Sequence, residues 1–269
     1  MNRASILTFC ILTLGGLAAA QENKVTVPLS SPSQTATLKV HLVEGSIQVS
    51  AGANGQVVIE PEDRHGQPRR DDRHAPPGMH RIDVGPRGFT AIEDHNVVTI
   101  SPGSGDGTNL GIQVPVNTSL EIGTVNGGHV EVTGVSGEIN VQNVNGSIDL
   151  KNLSGSVLAN TVNGNLTISF DRVAPDKPMS FSSLNGRIDV TLPADTKARL
   201  RLKTNNGAVF SDFDVKMEPD STKPVVEDAR GRGGRYRIVM ERSVVGTING
   251  GGPEYTFDSM NGKILIHKK

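Results

Sequence analysis

Apolar and polar residues alternate in short runs that restart at glycine. Reading forward from selected glycines gives Gly137-Glu-Ile-Asn-Val, Gly146-Ser-Ile-Asp-Leu, Gly155-Ser-Val-Leu-Ala and Gly164-Asn-Leu-Thr-Ile, nine residues apart each time. The frame recurs at Gly45, Gly55, Gly128, Gly186 and Gly262. Alternation of period two predicts a strand with one buried face. The buried positions are rich in Val and Ile, which strands favour. A glycine at each break is expected to allow the positive φ of a tight corner.

Two architectures satisfy short strands joined by such corners. One is an antiparallel meander of Asn-Gly hairpins. The other is a solenoid, in which each strand stacks on its copy one coil away. Asn-Gly corners at 126–127, 145–146 and 163–164 alternate with Ser-Gly corners at 136–137 and 154–155. A two-strand repeat of 18 or 19 residues with two unlike corners accounts for that alternation directly. The reading is therefore all-β: a single-domain β-solenoid, parallel β-helix or β-roll in type, with coils of about 18–22 residues. Asn126, Asn145, Asn163, Asn185 and Asn206 are then either a stacked amide ladder or simple turn formers. Val125, Val144, Val162 and Leu184, each just before an Asn, are expected to close the core at that corner.

The first twenty residues have a different character. Arg3 is their one charge, Ile6 to Leu17 is almost wholly apolar, and Ala18-Ala19-Ala20 follows. This is the pattern of a secretory signal cleaved after Ala20, leaving 21–269 as the exported domain. Cys10, the single cysteine, falls in that segment behind Phe9, a poor setting for lipidation. No later stretch is apolar enough to span a bilayer, so no transmembrane segment is expected after cleavage. The periplasm, the cell surface or the extracellular medium is the expected location.

Segment 60–94 departs from the repeat. It carries Pro61, Pro68, Pro76, Pro77 and the run Arg69-Arg70-Asp71-Asp72-Arg73, and reads as a charged, Pro-rich surface insertion. The stretch 214–235 is a second irregular connection, and Lys216–Asp228 within it reads as loop. The segments Lys24–Val49 and Tyr255–Lys269 are the candidates to cap the two ends.

Composition narrows the function classes. Lys+Arg of 27 against Asp+Glu of 28, for a net charge of −1, gives no basic surplus for nucleic acid. With no Trp and two Tyr, a base- or sugar-stacking platform lacks rings. One Cys excludes an internal disulfide and a thiolate zinc site.

Val114-Pro-Val-Asn-Thr-Ser-Leu-Glu-Ile-Gly-Thr-Val-Asn-Gly127 and Leu192-Pro-Ala-Asp-Thr-Lys-Ala-Arg-Leu-Arg-Leu-Lys-Thr-Asn-Asn-Gly207 share one frame. Each runs apolar-Pro, polar turn, alternating strand, then Asn-Gly. The tail Ile248-Asn-Gly-Gly-Gly-Pro-Glu-Tyr-Thr-Phe-Asp-Ser-Met-Asn-Gly-Lys-Ile-Leu-Ile266 adds a glycine-rich corner and a last strand pair. These stretches resemble the bacterial exported β-strand-repeat family called adhesin-like, a domain of unknown function. The likeness runs over 38–269 apart from the insertion and is best over 110–266. It implies a β-solenoid outside the cytoplasm without a known catalytic site.

Candidate chemistry is sparse. Gly134-Val-Ser136-Gly137 lacks the second glycine of a nucleophile elbow. His65, His74 and His80, with Asp63, Asp71 and Asp72, have no compact metal-ligand spacing. Gly103-Ser-Gly-Asp106-Gly107 lacks the repetition of a calcium nonapeptide loop. Asp149 and Asp189 share an outward position, with Lys151, Arg187, Glu131 and Glu138 nearby, as a polysaccharide-cleaving β-helix would need. They equally suit a solvated sheet face. The sequons at Asn117, Asn145, Asn152 and Asn165 read as accidents of an Asn/Ser-rich repeat. No catalytic, cofactor-binding or metal residue is assigned, and no cofactor. The expectation is an exported, non-catalytic structural or adhesion-like binding module, with an envelope protein or glycan as partner and 60–94 and 214–235 as specificity elements. A carbohydrate-active β-helix is the alternative.

Overall fold

The computed structural model describes residues 24–62, 88–103, 107–126, 128–218, 225–228, 236–239 and 243–269. The expected leader and cleavage site lie outside the described residues, as do the core of the Pro-rich insertion and its three histidines. The described chain is all β, with no helix.

The repeat units pair in parallel, which rules out the hairpin meander. One ladder runs, in spatial order, through Val97–Pro102, Ala36–Glu44, Thr118–Asn126, Ser136–Asn145, residues 154–163, Met179–Asn185, Glu254–Ser259 and Ala198–Thr204. A second runs through Asn109–Val114, Ile47–Ala51, Val130–Thr133, residues 148–151, Leu166–Val173, Ile188–Leu192, Ile264–Lys268 and Val209–Ser211. Strand Ile148–Asn163 belongs to both and turns the corner at Asn152, which is left-handed with φ 54°. Inward residues of both ladders merge into one hydrophobic cluster from Leu29 to Ile266, including the ring stack Phe170–Phe181–Phe257.

Spatial order differs from chain order at both ends. The first repeat, Ala36–Ala51, sits inside the one formed by residues 97–114. The last, Glu254–Lys268, sits between Met179–Leu192 and Ala198–Ser211. The segment Tyr255–Lys269 therefore does not cap the stack. At that end antiparallel strands Ser243–Ile248 and Lys216–Met217 cover Ala198–Thr204. At the other end the additions are Phe89–Asp94, Gln56–Glu62 and Val25–Pro28, also antiparallel. Of Lys24–Val49 only the short strand Val25–Pro28 plays that part. Antiparallel edges break the parallel template that another chain could extend. The flanks of the 60–94 insertion are thus strands, and within Lys216–Asp228 two short strands occur where a loop was expected. Val225–Asp228 pairs with Tyr236–Val239 as a separate hairpin.

The corner glycines have a different reason from the one expected. Gly45, Gly55 and Gly155 do have positive φ, at 131°, 68° and 134°, but Gly128, Gly137, Gly146, Gly164, Gly186, Gly207 and Gly262 do not. They are required because repeats stack corner on corner. A Cβ on Gly146 would lie 2.0 Å from the carbonyl oxygen of Gly128, and one on Gly164 would lie 2.1 Å from that of Gly146. Only a residue without a side chain permits that approach.

Val125, Val144, Val162 and Leu184 do not close the core. Val125, Val144 and Leu184 are exposed and Val162 is only half-buried. With period two, the inward residue is the one before each: Thr124, Asn143, Thr161 and Ser183, all buried.

Candidate functional site

Two side-chain ladders define the Asn-Gly corner. On its surface, Asn163 Nδ2 donates to Asn145 Oδ1 at 2.8 Å and Asn185 Nδ2 to Asn163 Oδ1 at 2.8 Å. Asn261 then donates to Asn185, and Asn206 to Asn261, each at 2.8 Å. Asn145 reaches Asn126 at 3.5 Å. The amide ladder exists, with Asn261 inserted between Asn185 and Asn206 because its whole repeat is. Beneath it, a polar side chain two positions before each Asn, buried in all but Thr204, caps the glycine carbonyl of the neighbouring repeat. Asn143 Nδ2 donates to Gly128 O at 2.7 Å, Thr161 Oγ1 to Gly146 O at 3.0 Å and Ser183 Oγ to Gly164 O at 3.0 Å. Thr124, Ser259 and Thr204 do the same to Gly45, Gly186 and Gly262. This inner row was missed. Its signal, Thr/Ser/Asn-x-Asn-Gly, is present in the sequence.

The outward acids lie on the second ladder. Glu131, Asp149, Thr167 and Asp189 occupy successive rungs of one row, so Thr167 separates the two aspartates. Each acid has a basic neighbour. Lys151 Nζ is 2.6 Å from Glu131, His129 Nε2 3.3 Å from Asp149, and Arg187 Nε 3.6 Å from Asp189. His267 reaches Asp189 at 3.5 Å and Asp212 at 3.0 Å. The hydrogen bond from Lys151 holds the Glu131 carboxyl below its ordinary range, opposite to the shift a general acid requires. Glu138 lies on the first ladder, away from this row, and pairs with Lys177 at 2.9 Å.

Other sequence candidates find structural positions. Ser136 begins a strand, its backbone N–H donating to Val116 O. Asn152 holds the left-handed corner, and Asn165 Oδ1 accepts from Arg187 N at 2.9 Å. Asn117 is exposed and forms an isolated bridge to Ser136. Asp106 lies outside the described residues. Among the described residues no group of three or more His, Cys, Asp or Glu could hold a metal, and no helix is long and apolar enough to cross a membrane.

A cluster of two arginines and two glutamates clips the inserted last repeat. Arg199 contacts Glu218 at 2.9 Å and Glu254 at 2.7 Å, while Arg201 contacts Glu254 at 3.0 Å.

A family model described as Toastrack DUF4097 matches residues 5–238. The chain belongs to the Toastrack family. The Toastrack assignment agrees with the resemblance carried by the strand-turn-Asn-Gly frame. A solved structure from Clostridium sporogenes ATCC 15579, a "putative cell adhesion protein", is similar to this Toastrack chain over 91% of its length and 99% of the other's, at 12% identity and a TM-score of 0.45. No curated protein matches the Toastrack chain.

Proposed function

We propose that the chain is an exported, non-catalytic β-solenoid, serving as a structural or adhesion-like binding module of the cell envelope. Side-chain rungs offset by 18, 19 and 22 residues support the solenoid reading. The apolar leader with its Ala-Ala-Ala end supports export. The observation that carries the functional reading is the single continuous core fed by both ladders. The repeat is spent on a scaffold, and its outward acids have basic neighbours on open strand faces. Such a scaffold acts by display: it fixes the strands that flank the irregular segments, and a partner reads those segments. The partner is an envelope protein or a glycan.

The test is crosslinking and pull-down from intact source cells. The insertion is shortened between Glu62 and Gly88, which leaves the flanking strands in place. Capture of a partner by the full chain and its loss on shortening supports display by this end. A hydrolytic activity on envelope polysaccharide that Asp149→Asn or Asp189→Asn abolishes would overturn the non-catalytic reading.

A further inference from the structure

One surface feature serves neither core nor corner. Val43, which precedes Glu44, and Val125, Val144, Val162, Leu184 and Met260, which each precede an Asn, form an outward apolar stripe across six successive rungs. Five are well exposed, from 37% at Val144 to 66% at Val43. The next outward row is Gly123, Gln142, Asn160 and Ser182 over the middle rungs, and the amide ladder borders the other side. Over the middle rungs the stripe and this row carry no charge; Glu138, two rows further along, is paired with Lys177. Charged side chains gather at its two ends, as Lys39–Glu121 and as Lys203–Asp258 with Arg201–Glu254. A contiguous exposed apolar strip rimmed by polar groups marks an interaction surface.

We propose that this face is a homodimer interface, with a second copy packed stripe on stripe and its rungs in reverse order. Size, chemistry and charge support that occupant. Eight strands at about 4.8 Å spacing, each about seven residues long at about 3.3 Å per residue, make a face on the order of 900 Å². A stable interface takes about 800 Å² per partner. Reversal about the centre of the stripe sets Val144 against Val162 of the second copy, Val125 against its Leu184 and Val43 against its Met260. The same operation sets His41 against Asp258, Glu121 against Ser180, Lys39 against Thr256 and Glu138 against Ser156. No two like charges meet directly. Sheets packed face to face through Val, Asn and Gln rows interdigitate well. The face has no aromatic ring for a sugar and no cationic surplus for a nucleic acid.

Sedimentation velocity on residues 21–269, which contain no cysteine, tests this. The expected result is a concentration-dependent dimer at micromolar protein. Val144→Lys and Leu184→Lys should each weaken it by about tenfold or more, with far-UV circular dichroism unchanged. Thr167→Lys, on the second ladder, should leave it intact. Mixed Val125→Cys and Leu184→Cys chains should form a hetero-disulfide, while Val125→Cys alone should not self-link. A monomer at all concentrations overturns the proposal, including one that binds a glycan through the stripe. So does a dimer that both lysine variants leave intact. Self-linking of Val125→Cys without the mixed product overturns the reversed register.

Discussion

Thr161 Oγ1 donates to the carbonyl oxygen of Gly146 at 3.0 Å, across the boundary between two repeats. The contact solves a problem that stacking creates. Gly146 N donates to Asn163 O, but the buried side of its carbonyl needs a donor that the ladder does not supply. Thr161→Val keeps the shape and removes the bond. It should cost about 1–3 kcal/mol, because the carbonyl is left unsatisfied. Thr161→Ser keeps the hydroxyl and should lose only about 1 kcal/mol for the methyl. Urea unfolding of the two variants separates them. Equal losses would remove the carbonyl-capping role.

Gly164→Ala tests the stacking itself. Its Cβ would meet Gly146 O at 2.1 Å and Ser147 N at 2.9 Å, both backbone atoms that cannot swing aside. The loss should exceed about 3 kcal/mol, as for other overpacked sites with no room to relax. Gly52→Ala, where a Cβ meets nothing within 4 Å, should change stability by less than about 0.5 kcal/mol. Thermal melts of both variants give the comparison.

Asn143 is the odd member of the inner row. Its Nδ2 caps Gly128 O, but its buried Oδ1 has no hydrogen-bond partner. Thr124 and Thr161 do the same job with one hydroxyl, which leaves no second polar atom buried without a bond. Asn143→Thr should therefore raise stability, by about 1 kcal/mol. A lowered urea midpoint would mean that the amide fills volume a threonine leaves empty.

The strands and their parallel pairing were legible in the sequence, because period two and a fixed repeat length state them directly. Which side the corner residues face was not. Counting inward from Val141 gives Asn143, a polar residue whose burial makes sense only beside the Gly128 carbonyl that it caps. The spatial order was illegible for a different reason. Gly262 stacks on Gly186, and Gly207 on Gly262, through contacts chemically identical to those between sequential repeats. A repeat pattern says that its copies stack, not which copy is the neighbour. The exposed stripe was not legible either, since it depended on the same facing assignment.

That assignment has its own test. Val141 is fully buried, whereas Val144 points outward and is 37% exposed. Val141→Asp places an unpaired charge in the core and should abolish the folding transition, at a cost above about 4 kcal/mol. Val144→Asp should leave the monomer melting within about 0.5 kcal/mol of wild type. Circular dichroism melts at low concentration decide it, and unfolding by Val144→Asp would restore an inward role for that residue.

The inserted last repeat should be sensitive to acid. Hydrogen bonds from Arg201, and its charge together with that of Arg199, hold the Glu254 carboxyl below its ordinary value. Glu218 is lowered in the same way by Arg199. A carboxylate whose pKa falls on folding stabilises the fold above its unfolded pKa. That contribution is lost as pH drops through the folded value. Wild type should thus melt higher than Glu254→Gln at neutral pH, by a modest margin because the pair is over a third exposed. The two curves should converge as pH falls below about 4. Amide exchange should show the early loosening at Glu254–Ser259 and Ala198–Thr204, the two strands that the pair joins. A constant gap between the two proteins down to acid pH would show that Glu254 contributes through packing rather than charge.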